Sequence, residues 1–205
     1  MGLSLYRLDL GRLYSKYIGE TEQNLKRALK TIEQLSPLCL WIDEIEKGFA
    51  ASASDIDGGV SQRVLGTFLT WMQERGPGCF LAATANNVYM LPPEFLRKGR
   101  FDEVFFVDLP DANLRDQIFR IHLARRRLDP AGYDCALLAA NSADFSGAEI
   151  EQAIISALYR ASSKKEPIST EHVLEQLRST KPLAVIKREE VAALRHWASQ
   201  RTVPA

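Results

Sequence analysis

Two adjacent carboxylates that directly follow an apolar run are the residues whose placement points most clearly to chemistry. Residues 38–42 are Leu-Cys-Leu-Trp-Ile, and Asp43 and Glu44 come next. This pattern is typical of a buried parallel strand whose carboxyl end opens onto a site. Because side chains alternate along a strand, Asp43 and Glu44 are expected on opposite faces and in different roles.

Such a division of roles suits phosphoryl transfer, in which positioning and charge stabilisation supply most of the catalysis. One carboxylate would hold a metal-bound water, and the other would orient and polarise an attacking water. An apolar strand that merely ends at a polar loop explains the pair alone equally well. The choice between the two interpretations therefore depends on the rest of the chain.

The elements around this pair alternate between strands and helices. In chain order, the patterns predict a strand at 3–10, a helix at 20–35, the acid-tipped strand at 38–44, a helix at 60–74, a strand at 79–84, a short helix at 92–98 and a strand at 104–107. This alternation indicates an α/β fold with a parallel sheet and right-handed crossovers.

The pattern changes near Asp111, after which no strand-like run is found. Helices are predicted at about 112–127, 134–141, 147–162, 169–179 and 188–200. We therefore expect an α/β domain over residues 1–110 and a small helical domain over residues 111–205.

The composition excludes several classes of protein. The chain has 205 residues, 46% hydrophobic and 25% charged, enough for one sizeable core or a domain with a small companion. Its 26 basic residues balance 26 acidic ones, which argues against nucleic acid as the main partner. No apolar run approaches the ~18 residues of a membrane span. The scattered Cys39, Cys79 and Cys135 lack metal-ligand spacing and predict reduced core residues in a cytosol-like compartment.

Three further segments follow predicted strands or flank predicted helices. They are Thr84-Ala85-Asn86-Asn87, Phe-Leu-Arg-Lys-Gly-Arg-Phe-Asp at 95–102 and Phe-Ser-Gly-Ala-Glu at 145–149. In order and spacing they resemble the sensor 1, arginine-finger and sensor 2 motifs of the AAA branch of the AAA+ ATPases, and the acid-tipped strand resembles Walker B. Glu149 stands where the family's turn has Asp. The resemblance covers nearly the whole chain. The particular residues of the acid-tipped strand and of the arginine-finger segment are similar to those of the plastid and cyanobacterial open-reading-frame subgroup.

This resemblance implies roles for the polar residues. Asp43 would hold Mg²⁺ through water, Glu44 would activate the attacking water, and Asn86 would hydrogen-bond that water or the γ-phosphate of ATP. Arg97 and Arg100 would reach the γ-phosphate bound by a neighbouring subunit, where a charged planar fork suits the developing anion. A solvated helix end, where cations offset the dipole, is the alternative for these arginines.

The helical domain resembles the lid of the same family. His122 ends a run similar to the lid helix whose histidine lies beside the base and ribose, although a lone histidine on a helix is by default structural. Gly147 and Ala148 would offer their backbone to the adenine, because small residues permit close approach. The family's sensor 2 arginine is not evident, as is normal for this branch.

The segment of Lys16, Tyr17, Ile18 and Gly19 resembles pore loop 1, whose aromatic side chain grips an extended polypeptide in the channel of a ring. Ordinary packing is the alternative for an aromatic residue after a strand. The loop at 51–59 would be the second pore loop on position alone. The resemblance thus implies a protein substrate and a homo-oligomeric ring, a hexamer, located in the cytoplasm or the plastid stroma.

No segment has the Gly-x₄-Gly-Lys-Ser/Thr spacing of a P-loop. In the family this loop follows the first strand, which would stand immediately upstream of residue 1. The expected fold is therefore an AAA+ core that lacks its first strand and P-loop, followed by a small all-α lid domain. In the family's sheet order, 5-1-4-3-2, the first strand lies between two other strands. Without it, two inner strand edges would be left with unpaired backbone groups. We expect an N-terminally truncated chain, and the missing P-loop argues against ATP binding by this polypeptide alone.

Three functions are compatible with these features. The first is the C-terminal part of an ATPase module that couples ATP hydrolysis to remodelling or threading of a protein in a ring. The second is an ATPase-inactive regulatory subunit that lends Arg97 and Arg100 to a P-loop-bearing partner. The third is a clamp-loader-like motor on nucleic acid, against which the neutral charge and Tyr17 argue.

Overall fold

The computed structural model describes residues 2–13, 20–49, 59–97 and 99–204. By their contacts, the residues form two compact units, Met1–Glu103 and Val104–Ala205. This division falls a few residues before the domain boundary expected at residue 110, because the strand at 105–106 pairs with a strand near the C-terminus.

The first unit contains a parallel sheet and the helices that connect its strands. Its elements are β1 Ser4–Arg7, a 3-10 helix Leu10–Leu13, α1 Glu20–Gln34, β2 Leu38–Ile42, α2 Ile45–Phe49, α3 Val60–Glu74, β3 Cys79–Ala83 and two 3-10 helices, Val88–Met90 and Pro93–Leu96. The expected α/β fold is therefore confirmed, with shorter strands than predicted. The helix predicted at 20–35 ends at Gln34, so Leu35 lies beyond it and is 46% exposed, because Ser36-Pro37 ends the helix.

The sheet has the order β1-β2-β3, and both strand pairs are parallel. One face is packed: Leu38, Leu40 and Ile42 of β2 are at most 1% exposed and share a core with α1 and α3. Right-handed crossovers explain this arrangement, because they place both connecting helices on the same face. The carboxyl ends of β2 and β3 consequently lie side by side.

The strand predicted at 104–107 does not join this sheet. It is reduced to β4 Phe105–Phe106, which pairs in parallel with β5 Val203–Pro204. The expectation that no strand follows residue 111 is thus wrong, and a run of two residues is too short to give a pattern.

The second unit is otherwise helical. Its helices are α4 Ala112–Arg125, α5 Cys135–Ala140, α6 Gly147–Lys164, α7 Thr170–Ser179, α8 Leu183–Ile186 and α9 Arg188–Ser199, with a 3-10 helix Pro130–Gly132. Phe119, Leu138 and Ile150 are fully buried in the core that α4 to α7 share. Arg195 of α9 donates from Nε to both carboxylate oxygens of Asp108, each at 2.9 Å. None of the helices in the described ranges could cross a membrane.

Candidate functional site

The chain turns sharply where the two predicted acids stand. β2 ends at Ile42, two residues earlier than expected, and Glu44 adopts a left-handed conformation with φ of 50°. Such a conformation costs a residue with a β carbon roughly 1 kcal/mol. The argument from strand alternation therefore fails for Asp43 and Glu44, and the turn instead leaves each side chain 36% exposed.

Thr84, directly after β3, links both acids. Its hydroxyl donates to Asp43 Oδ1 at 2.6 Å and accepts the backbone N–H of Glu44 at 3.0 Å. Its backbone continues the β2–β3 ladder, since its N–H donates to the carbonyl of Ile42 and its carbonyl accepts from Ile45, both at 2.9 Å. The two strand ends are thereby held together at the residues expected to do chemistry.

Asn86 completes this strand-end cluster, which we define as Asp43, Glu44, Thr84 and Asn86. The side-chain amide of Asn86 donates from Nδ2 to Glu44 Oε1 at 2.8 Å, and Lys47 Nζ donates to the same oxygen at 2.6 Å. This hydrogen bond with Glu44 raises the pKa of Lys47. The structure thus brings Asp43, Glu44 and Asn86 together, while the roles expected of them stay predictions.

Arg7 contacts the strand-end cluster, and its residue type and position in the sequence did not predict this. Its guanidinium lies 3.4 Å from Asp43 Oδ2 and stacks over the Trp41 ring, 5.1 Å from the ring centre. The parallel register that pairs Arg7 with Trp41 produces both contacts, and a sequence without a known register does not reveal it. Because Arg7 is 57% exposed, its charge on Asp43 is screened by water.

Glu46 is a second residue beside the strand-end cluster that the sequence did not predict. It is only 1% exposed, and its Oε1 accepts the backbone N–H groups of Asn86 at 3.0 Å and Asn87 at 3.3 Å. The signal in the sequence is weak: a third acid two positions after Glu44, in what becomes the first turn of α2. Nothing in the residue types alone distinguishes it from an exposed helix acid.

The two predicted finger arginines differ in their surroundings. The side chain of Arg97 is exposed and has no hydrogen-bond or ion-pair partner among the residues that the structure describes. Arg100 is half-buried, and its Nη1 donates to the carbonyl of Glu94. Phe95 and Phe101 anchor this segment in the core, with ring centres 6.3 Å apart. Arg97 is therefore free to meet a ligand or partner, whereas Arg100 is partly held.

In the second unit, His122 lies in α4 beside two charged side chains. Its side chain is 13% exposed, and Nδ1 is 3.3 Å from Glu151 Oε1 without hydrogen-bond geometry. Arg126 donates to the same oxygen at 2.8 Å, and this hydrogen bond lowers the pKa of Glu151. His122 is thus held in a polar setting, as expected for either a structural or a ligand-facing histidine.

Gly147 and Ala148 begin α6, which a capping box starts. The Ser146 hydroxyl and the Glu149 carboxylate each bind the backbone N–H of the other residue. Glu149 Oε1 also accepts the N–H of Leu183 at 2.7 Å. These bonds fix the backbone of the predicted adenine contact, while the side chain of Ala148 stays exposed.

An apolar groove of about 520 Å³ opens beside this turn. It is lined by Phe106, Val107, Asp108, Leu109, Pro110, Leu114, Ile118, Ser146, Gly147, Val191 and Leu194. Of the three predicted lid residues, Gly147 lines the groove, and His122 and Ala148 do not. A β carbon on Gly147 would meet the Ile118 side chain at 3.6 Å, an ordinary contact, so space alone does not require glycine.

The predicted pore-loop residues Lys16, Tyr17, Ile18 and Gly19 lie outside the described residues, as does most of the loop at 51–59. The pore-loop assignments therefore stay predictions.

The donor set near Asp43 fits Mg²⁺ held mostly by water and phosphate. In the described ranges, no group of three or more His, Cys, Asp or Glu side chains could hold a metal ion by itself. Mg²⁺ commonly keeps several waters and takes one or two protein carboxylates together with substrate phosphates. One partly exposed carboxylate, Asp43, beside the Thr84 hydroxyl matches that coordination.

The sequence also matches known proteins. Residues 1–109 match the family described as "ATPase family associated with various cellular activities (AAA)". The chain is 44% identical over 198 residues to the "Uncharacterized AAA domain-containing protein ycf46" of Guillardia theta, a match that covers 96% of this chain and 39% of that protein. It is 45% identical over 197 residues to the protein of that name from Pyropia yezoensis, covering 96% of this chain and 40% of that protein.

A more distant match is the "Proteasome-activating nucleotidase" of Saccharolobus islandicus, 32% identical over 153 residues, which covers 71% of this chain and 38% of that protein. The chain spans about two fifths of the length of each of these relatives. The match to the ycf46 proteins agrees with the subgroup to which the acid-tipped strand and the arginine segment pointed.

Proposed function

Since the chain belongs to the AAA family of ATPases, we propose that it forms the C-terminal part of a module that couples ATP hydrolysis to the remodelling or threading of a protein. The observation that carries this proposal is the strand-end cluster. It places two carboxylates, a hydroxyl and an amide at neighbouring strand ends, with hydrogen bonds of 2.6 to 3.0 Å between them. Members of this family generally bind ATP with Mg²⁺.

Within the cluster, each side chain has a separate task. Asp43 would hold the metal through water, with its Oδ1 oriented by the Thr84 hydroxyl. Glu44 would orient the attacking water: Asn86 and Lys47 both donate to Oε1, which leaves Oε2 to accept a hydrogen bond from that water. Asn86 would bind water or phosphate through an amide that does not repel anions. Bound Mg²⁺ would neutralise charge that develops on the phosphates.

Arg97 would act on a neighbouring subunit. Its exposure and its lack of a partner in the described part of the chain leave the guanidinium available for a phosphate in trans, and arginine fingers supply about 10³–10⁵ in rate. AAA family members generally form oligomeric rings, in which head-to-tail contacts can supply such a residue. Arg100 would support the finger segment through its bond to the Glu94 carbonyl.

The second unit would hold the base of the nucleotide. The groove beside Gly147 is largely apolar, which suits an adenine ring, and the capped start of α6 keeps this backbone in place. His122 would approach the base and ribose from α4. Ala148 would contribute its backbone beside Gly147.

A protein is the substrate that we propose. One relative is named a proteasome-activating nucleotidase, a name that refers to a protein complex as its target. Lys16, Tyr17, Ile18 and Gly19 would form the gripping loop in the channel of a hexameric ring. The location in the cytoplasm or the plastid stroma stays a prediction.

Glu44→Gln tests the assignment of hydrolysis. In the ring-forming ATPase that contains these 205 residues together with a P-loop, the variant should bind ATP and retain it without turnover, because the amide cannot accept a proton from water. Retained nucleotide and released phosphate are the quantities to measure. Glu33→Gln, on the exposed face of α1, is the control and should turn over ATP at the parental rate. Parental turnover by Glu44→Gln would remove Glu44 from this role.

A second function is favoured by one observation: the sequence has no P-loop spacing, yet Arg97 stands exposed. The chain would then be a regulatory subunit that supplies arginines to a P-loop-bearing partner. Adding residues 1–205 to such a partner should raise its ATPase rate, and Arg97→Ala should abolish the increase. Tight binding of labelled ATP by residues 1–205 alone would instead contradict this second function.

A further inference from the structure

Glu46 is a buried carboxylate that the proposed mechanism does not use. Its side chain belongs to α2, a helix of only five residues, and is 1% exposed. Burial of a carboxylate is unfavourable unless hydrogen bonds replace the lost water. The contacts of Glu46 therefore indicate what keeps an acid at this position.

One oxygen of Glu46 holds the backbone that follows β3. Oε1 accepts the N–H of Asn86 at 3.0 Å and that of Asn87 at 3.3 Å. β3 ends at Ala83, so these two N–H groups have left the sheet ladder and need an acceptor. Oε2 is buried and has no hydrogen-bond partner among the residues that the structure describes. Within the described part of the chain, every hydrogen bond of this carboxylate is thus directed at the Asn86–Asn87 backbone.

The residue held by Glu46 is also the one that reaches Glu44. Asn86 donates its N–H to Glu46 and its side-chain amide to Glu44 Oε1, the latter at 2.8 Å. The left-handed turn at Glu44 makes this possible, because it sends Glu44 outward at 36% exposure while Glu46 points into the protein. Two acids two positions apart therefore grip the backbone and the side chain of one asparagine.

We propose that Glu46 is the positioning residue for Asn86. By fixing the Asn86 backbone, the buried carboxylate keeps the side-chain amide within reach of Glu44. An unanchored loop would let the amide turn to solvent, since a single exposed hydrogen bond stabilises only weakly. The inference rests on the proposed function only in assigning Asn86 and Glu44 to hydrolysis; the positioning itself is a property of the chain.

Glu46→Ala, Glu46→Gln and the parent can be compared in the 205-residue chain by NMR. Glu46→Ala should speed hydrogen exchange at the backbone amides of Asn86 and Asn87 about tenfold, because both lose their acceptor. It should also move the Asn86 side-chain amide signal in the direction that Glu44→Ala moves it. Glu46→Gln keeps one acceptor oxygen and should hold both readouts near those of the parent, with exchange within about threefold.

Glu33→Ala, an exposed acid of α1, is the matched control and should leave the Asn86 signals unchanged. If Glu46→Ala does not fold, Glu46→Leu takes its place, since it fills the volume without an acceptor. Unchanged Asn86 signals in the folded variant without an acceptor would overturn the inference. A loss in Glu46→Gln as large as that in Glu46→Ala would overturn it as well, because an acceptor oxygen would then not be the cause.

Neither NMR readout uses ATP. If Glu44→Gln leaves the ATPase rate unchanged, the proposed function is overturned and the positioning by Glu46 stands. If the Asn86 signals are unchanged, the positioning is overturned and the proposed function stands. Where turnover is measurable, Glu46→Ala should lower kcat with little change in KM. Glu46→Gln should keep most of the parental kcat.

Discussion

At the end of β3, hydrogen bonds join residues 41 and 42 positions apart in the chain, Thr84 to Asp43 and Asn86 to Glu44. At the start of α6, the cap joins Ser146 and Glu149, only three positions apart. The first arrangement exists only when β2 and β3 are paired in register. The second can form in a single helical turn and is then tied to the rest of its unit through Leu183.

This contrast has a consequence for stability and for motion. A site made from long-range side-chain bonds is sensitive to any shift between two strands, and its members here are partly exposed to water. A local cap resists such shifts, because its partners move together. We therefore expect the strand-end cluster to respond to single substitutions through geometry, and the start of α6 to respond mainly through stability.

Glu149→Ala should show the largest effect. It removes the acceptor of three hydrogen bonds, from the Ser146 N–H and hydroxyl at 2.8 and 2.7 Å and from the Leu183 N–H at 2.7 Å. We expect a loss of about 2 kcal/mol in the free energy of unfolding, measured with urea. Glu189→Ala, an exposed acid in the first turn of α9, is the control. A loss no larger than that of the control would show that the cap does not hold this turn.

Thr84→Val should have a smaller effect on stability and a larger one on the cluster. Valine keeps the shape but removes the hydroxyl that bridges Asp43 and the Glu44 backbone, at a cost of about 1 kcal/mol. Thr31→Val is a matched control, because within the described ranges the Thr31 hydroxyl bonds only to the carbonyl of Arg27 in its own helix. Urea unfolding and the Asn86 side-chain NMR signal are the measurements. An unchanged signal would mean that strand pairing alone holds the cluster.

The same contrast explains what could be predicted from the sequence. Apolar periodicity predicted α3 at residues 60–74 and placed β2 and β3, because burial of one face leaves a repeating pattern. The resemblance implied that Asp43, Glu44 and Asn86 act on one nucleotide, which requires the ends of β2 and β3 to lie together. The turn at Glu44 could not be predicted, since a left-handed residue other than glycine has no sequence signature.

The contacts of Arg7 and Glu46 could not be predicted for a related reason. Both depend on tertiary placement: Arg7 on the register of β1 against β2, and Glu46 on the packing of α2 beneath the loop after β3. The residue type alone does not show whether a charged side chain is exposed, as Arg7 is, or buried, as Glu46 is. The pairing of β4 with β5 was missed because two residues carry no periodicity.

Acidification should weaken the second unit through Glu149. Partial burial alone would raise the pKa of Glu149, but hydrogen bonds from Leu183 and Ser146 outweigh it and lower the pKa below the ordinary value. Because the folded-state pKa is the lower one, this contribution is full above about pH 4.5 and is lost as the pH falls through the folded-state pKa. Urea unfolding between about pH 3 and pH 7 should show a shallower acid loss in Glu149→Gln than in the parent. Parallel profiles would remove Glu149 as a cause of acid sensitivity.

Arg7→Gln should have the smallest effect, and its size sharpens the contrast between exposed and anchored contacts. The ion pair with Asp43 is 3.4 Å long and solvated, so the variant should change the free energy of unfolding by less than about 0.5 kcal/mol. Arg12→Gln, which removes a more exposed pair with Asp9, is the reference and should also change the free energy of unfolding by less than about 0.5 kcal/mol. A loss well above that of Arg12→Gln would show that stacking on Trp41 gives Arg7 a structural part. Asp43 would then be held from two sides, by Thr84 directly after β3 and by Arg7 of β1, and the strand-end cluster would extend across the whole sheet.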